Sequence, residues 1–295
     1  MKKFFSFSLL ACLLLTACSK EAADEATTMA RVNVHVSGFT VSQQDFAPVN
    51  RAGTALADYS GVKAITLAFY TSDGATQKYC TTQLKADNSN YTTFGDFSLE
   101  LPIGNYKMVV LAYGSESPVT FNSMTSVAFG EEKSRETFSF TRDVTVSNAA
   151  TLDIEAPLNR IVTRLTVSST DNYVAEAKTI RITMTKGGKG FNPFTGQPTT
   201  NIGLVNTIRP ASSSVGDVTN FITHFFIDSD EESMNVTIET LDASDNVLFI
   251  RTVNDVPFKR NRITQLTGPM YTVDASASGT FTLNTDWLPT YNMGF

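Results

Sequence analysis

Apolar and polar residues alternate one by one through most of this chain, and a period of two is the signature of half-buried β-strands. Val32, Val34 and Val36 share one parity, with Asn33, His35 and Ser37 on the other. Ile65, Leu67 and Phe69 repeat the pattern ahead of a Ser72-Asp73-Gly74 turn. Phe97, Leu99 and Leu101 run into Pro102-Ile103-Gly104-Asn105, after which Tyr106, Met108, Val110 and Ala112 return. Phe138 and Phe140, Val144 and Val146, and Leu152 and Ile154 follow. A second set spans Ile161 to Val167, Ile180 to Met184, Phe221 to Ile227, Val236 to Ile238 and Val247 to Arg251. No long stretch keeps a clean helical period; residues 112–137 and 171–178 leave room for a short helix. Short strands with frequent turn signals predict an all-β fold of two tandem β-sandwich domains, residues 31–156 and 157–295, with Pro157 at the boundary.

The two ends of the chain carry patterns of their own. Lys2 and Lys3 precede an apolar run from Phe4 to Leu15, too short to span a bilayer as a helix. Leu15-Thr16-Ala17-Cys18 follows it and resembles the lipobox of a bacterial lipoprotein. That resemblance implies a signal peptide over residues 1–17, cleavage before Cys18, and a lipid on the Cys18 sulfur that holds the chain at a membrane. Residues 18–30 are small and polar and read as a tether. A first strand over 31–41 leads into a polar loop, 42–60, which contains Asn50-Arg51-Ala52-Gly53. An arginine in such a loop is open to a trypsin-like protease. At the other end Phe281, Leu283, Thr285, Trp287, Pro289, Tyr291, Met293 and Phe295 share one parity. Extended, this tail presents a nearly continuous apolar face, broken at Pro289, which cannot donate a ladder hydrogen bond. It needs a groove, either as the last strand of its own sandwich or in a neighbouring molecule.

Composition narrows the chemistry. Lys and Arg number 23 against 29 Asp and Glu, for a net charge of -6, and no basic block occurs, so nucleic acid is not an expected partner. Of the three cysteines, Cys12 lies in the signal and Cys18 would carry lipid. Cys80 is then alone and is expected as a small buried hydrophobe. His35 and His224 are the two histidines, each inside a strand pattern. Lys186-Gly187-Gly188-Lys189-Gly190 imitates a phosphate loop without its full spacing and reads as a hairpin loop. Asp228, Asp230, Glu232 and Glu239 imitate a calcium loop, but the sixth position is Ser233 rather than glycine, so an acidic turn is expected. No nucleophile, base and orienting group can be assembled, so neither an enzyme nor a cofactor is expected. A lipid-anchored surface module that binds glycan or host protein stands as the alternative to a structural subunit.

Several segments, in order, resemble the type V fimbrillins, pilins made as lipoprotein precursors. They are the lipobox at Cys18, the valine-rich strand, Asn50-Arg51-Ala52, Val62 to Tyr70, Leu158-Asn159-Arg160-Ile161-Val162-Thr163-Arg164-Leu165, Phe258 to Thr264 with Gly268-Pro269, and Asp286-Trp287. The resemblance implies two sandwiches of transthyretin-like topology and export to the outer membrane as a lipoprotein. It further implies that an arginine-specific protease cuts between Arg51 and Ala52 and removes the strand bearing Val32, Val34 and Val36. The vacated groove then accepts the tail of another copy or a related subunit, anchored by Phe281, Leu283, Trp287, Tyr291, Met293 and Phe295. Stalk subunits lose the first strand, anchor subunits keep it together with the lipid, and tip subunits accept or donate a strand at only one end, so an anchor or a tip subunit stands as the alternative within the family. The loop arginine and the alternating tail favour a stalk.

Overall fold

The computed structural model describes residues 28–39, 56, 59–130, 133–148, 151–271 and 282–284. The first half forms β1 (Met29–Phe39), β2 (Ala64–Thr71), β3 (Gln77–Leu84), β4 (Asp96–Pro102), β5 (Gly104–Tyr113), β6 (Val119–Ser123), β7 (Ser126–Phe129), β8 (Thr137–Val146) and β9 (Leu152–Arg160). Seven of these make one ribbon in the order β3-β2-β5-β8-β9-β1-β4. β8 and β9 pair only at Phe138–Arg160 and Ser139–Asn159, so the ribbon folds there and its two halves face each other. Between them lies a core of Val32, Val34, Leu67, Phe69, Leu99 and Met108 with their neighbours.

The second half forms β10 (Thr163–Ser169), β11 (Thr179–Met184), β12 (Leu204–Ile208), β13 (Asn220–Phe225), β14 (Glu231–Leu241), β15 (Val247–Lys259), β16 (Ile263–Gly268) and β17 (Thr282–Asn284). Two four-stranded sheets, β13-β10-β16-β17 and β12-β11-β14-β15, close on a core that includes Leu165, Ile182, Val236, Phe225 and Phe258. The protein is all-β and built of sandwiches. No α-helix occurs among the described residues. Residues 112–137 instead contain the β6–β7 hairpin, and residues 171–178 a turn closed by Ala177 donating to the Val174 carbonyl at 3.2 Å.

β2 and β5 are buried on both faces. One parity (Ile65, Leu67, Phe69; Met108, Val110, Ala112) lines the first sandwich. The other parity (Ala64; Val109, Leu111, Tyr113) enters a third core with Val127, Ile161, Val162, Phe191 and Phe226. Phe191 and Phe226 stack at 4.4 Å. The third core thus joins residues of both halves, and each of its fully buried aromatics contributes about 1.5–3 kcal/mol relative to exposure.

Pro157 lies inside β9, opposite Gly38 and just past an irregularity in the β1–β9 register, a place where a missing N–H is tolerated. The chain leaves the first sandwich after Arg160. Cys80 is exposed rather than buried, because β3 is an edge strand whose solvent-facing positions include it.

Candidate functional site

β1 is an interior strand supplied by the extreme N-terminus of the described chain. It pairs antiparallel with β4, from Met29–Pro102 to His35–Asp96, and parallel with β9, from Val32–Leu152 to Phe39–Leu158. Val32 and Val34 are 0% exposed and Val36 is 8% exposed. The strand therefore fills a slot whose walls are the β4 and β9 backbones and whose floor is the first core. β-Branched residues at every second position suit a pleated, one-sided surface.

The upper end of the slot is shaped by Gly95, whose φ of +101° is left-handed and whose added Cβ would meet Leu56 Cδ2 at 3.0 Å and Val36 Cβ at 3.3 Å. Gln83 pins that corner, accepting from the Gly95 N–H at 2.8 Å and donating to the Asp96 carbonyl at 2.7 Å. Among the described side chains, the outward face of β1 is held by polar groups. Asn33 Nδ2 donates to Asp153 at 2.8 Å, Ser98 Oγ donates to Asn33 at 2.9 Å, and His35 Nδ1 lies 3.0 Å from Asp96. Donation from its ring to the Asp96 carboxylate raises the His35 pKa above the usual histidine value. These exposed contacts contribute little next to the valines.

The structure thus brings Val32, Val34 and Val36 together on one face. Leu283 lies in β17, whose backbone pairs with β16 at Leu283–Leu266, so the start of the tail adjoins its own second sandwich. Cys18, Arg51, Ala52, Phe281, Trp287, Tyr291, Met293 and Phe295 lie outside the described residues.

Three of the four residues that imitate a cation loop are engaged by cations of their own. Glu239 is held by Arg181 at 2.6 and 2.8 Å, Glu232 lies 3.4 Å from Lys186, and Asp230 lies 3.3 Å from Arg260. Lys186–Gly190 follows β11 as a loop, closed by Gly188 bonding the Phe226 backbone at 3.1 Å.

A second feature was not visible in the sequence. Where the sandwiches meet, the segment 59–61, residues 133–136 and the outward face of β13-β10-β16 enclose a cleft of about 310 Å³ and an adjoining one of about 300 Å³. Glu136 sits between them, paired with Arg160 at 2.8 Å and accepting from Tyr59 Oη at 2.8 Å. Arg160 also donates to Asn261 at 2.8 Å and lies over the Phe138 ring at 4.7 Å. Burial, and then Glu136, pushes the Tyr59 pKa upward. Burial pulls His224 down to about 4, with Arg164, Arg160 and Arg135 adding repulsion against Glu136.

Fold and site define a two-sandwich β protein whose N-terminal strand completes its first sandwich. The chain belongs to the Family of unknown function (DUF6562), whose model matches residues 26–288. No curated protein matches it in sequence. Among solved structures it is similar to a candidate adhesin from Bacteroides ovatus, with a TM-score of 0.54 and 11% identity over 88% of this chain and 96% of that one. A candidate polysaccharide-binding protein from Bacteroides thetaiotaomicron gives 0.50 at 10% identity over 83% and 93%. The fimbrial anchor protein Mfa2 from Porphyromonas gingivalis gives 0.48 at 10% identity over 89% and 100%. At these identities the likeness is one of fold.

Proposed function

We propose that this protein is a structural subunit of a surface fimbria, exported as a lipoprotein through Cys18 and polymerised by exchange of β1 for the tail of another subunit. The observation that carries this reading is the place of β1. An interior strand lies at one end of the chain, it buries three valines, and the residues that follow it include Arg51. An arginine-specific protease acting between Arg51 and Ala52 frees that strand. Its loss uncovers two unpaired edges and an apolar floor, a template for an incoming strand. The joint is head-to-tail and does not close on itself, so repetition gives a filament. While β1 stays in place the slot is filled and the precursor remains single. The fold shared with the Bacteroides ovatus candidate adhesin agrees with a role in adhesion and with a non-enzymatic protein.

Deletion of Tyr291–Phe295 tests the donor half of the reading. The shortened protein reaches the cell surface and forms no filament; filaments of normal length refute the donor role. A second reading, an anchor subunit that keeps β1 and its lipid, is favoured by one observation: Thr282–Asn284 already pairs with β16 of its own molecule.

A further inference from the structure

We infer that the slot between β4 and β9 chooses its strand by charge, favouring a strand from another subunit whose outward positions carry lysine or arginine. This rests on the strand-exchange reading above and adds the chemistry of the partner.

The first observation is the set of cross-strand rows on the outward face. Register sets Glu100 opposite Arg31, Ser98 and Asp153 on either side of Asn33, and Asp96 and Glu155 on either side of His35. The flanking strands thus supply four acids, Asp96 and Glu100 from β4, Asp153 and Glu155 from β9, and all four are exposed. Their remaining outward positions, Ser98, Pro102, Pro157 and Asn159, hold no base. Both bases of this face, Arg31 and His35, come from β1 itself.

The second observation is that β1, seated in the slot, shows what the face rewards. Asn33 Nδ2 donates to Asp153 at 2.8 Å, and His35 Nδ1 lies 3.0 Å from Asp96. The hydrogen bond to Asp96, backed by the charges of Asp96, Glu155 and Asp153, favours the protonated His35 ring. Among the described residues Glu100 and Glu155 make no ion pair, so both stand open to a longer base. Opposite charges directly across a sheet attract and like charges repel. The apolar floor and the two backbone edges accept any strand of the right alternation. Charge complementarity then decides between strands that share that alternation.

The third observation comes from the chain's own tail. Residues 281–295 contain no lysine, arginine or histidine, and their single charge is Asp286, on the parity opposite Phe281, Leu283 and Trp287. With the apolar parity on the floor, Asp286 falls on the acidic face. A second copy is therefore a usable donor, and a subunit whose tail carries bases at the outward positions outcompetes it.

The test uses the full-length protein, nicked by an arginine-specific protease, and follows binding of fluorescent Met29–Phe39 peptides by anisotropy at low and high salt. The peptide with Asn33→Lys and His35→Lys binds about tenfold more tightly at low salt than the one with Asn33→Glu and His35→Glu. The gap closes at about 1 M salt. Asp96→Asn with Glu155→Gln in the protein narrows it at low salt, and melting temperatures show that the fold is kept. A peptide of residues 281–295 binds more tightly once it carries Asp286→Lys. Equal uptake of the lysine and glutamate peptides at low salt overturns the charge selection and leaves strand exchange standing. A lysine peptide that binds as well after Val32→Ser, Val34→Ser and Val36→Ser reveals a merely adhesive acidic surface and overturns it too. Uptake of no peptide, the native one included, removes strand exchange itself and this inference with it.

Discussion

Excising β1 isolates the element on which the fimbrial reading turns. The perturbation is a chain beginning at Ala52, which lacks Met29–Phe39 but keeps every other strand. Val32, Val34 and Val36 are almost wholly buried. At about 1.5–3 kcal/mol for each buried valine, the shortened chain forfeits roughly 4–9 kcal/mol of burial. A domain's whole stability is about 5–15 kcal/mol, so most of the first sandwich's margin goes with the strand. The β4 and β9 backbones also lose their partner. The chain is therefore expected to unfold in two steps, with the first sandwich melting well below the second, and to bind a dye that reports exposed apolar surface. Adding a synthetic Met29–Phe39 peptide restores the upper transition in a dose-dependent way, whereas the same peptide carrying Val34→Asp does not. Circular dichroism melts with peptide titration read all of this. A shortened chain that melts like the full one, and ignores the peptide, would show that the slot is not a separable binding site.

Three further outcomes are expected. Arg160→Ala leaves Glu136 half-buried beside Tyr59 and strips a cation from the Phe138 ring, and lowers stability by about 1–3 kcal/mol in urea unfolding. His224 binds its proton less readily when folded, so the unfolded chain takes up more protons between its ordinary 6.5 and about 4; stability falls as pH drops through that window, by about 2–4 kcal/mol, and His224→Phe flattens the profile. His35 has the opposite sign. Its raised pKa makes the Asp96 pairing fully present below about 6.5 and lost as pH rises through the folded value, so β1 exchanges faster at pH 8 than at pH 6, with Asp96→Asn removing the difference. Exchange is read by competition with labelled Met29–Phe39 peptide.

Strands with one wet and one dry face were legible from alternation alone, and β1, β4 and β11 are of this kind. In β2 and β5 alternation told half the story. Ile65, Leu67 and Phe69 marked the sandwich face, while Val109, Leu111 and Tyr113 had no visible reason to be apolar until the third core supplied one. β3 carries no apolar period because it is an edge strand with most positions wet, and for the same reason Cys80 is exposed. Residues 112–137 hold the β6–β7 hairpin rather than a helix, and its Val119 and Val127 face the third core. The slot could be read because its strand is continuous in sequence. The cleft could not, because Glu136, Arg160, Asn206, His224 and Arg262 come from separate segments that only the packing of one sandwich on the other brings together.

In the proposed assembly the first strand is given up so that another chain can take its place. Treating the purified precursor with an arginine-specific protease, then sequencing the amino terminus of whatever enters a denaturing gel unboiled, tests it most directly. The expected product is a ladder of oligomers whose chains all begin at Ala52 and lack Met29–Phe39. Monomers alone, or chains that keep Met29–Phe39 after the cut, would contradict it.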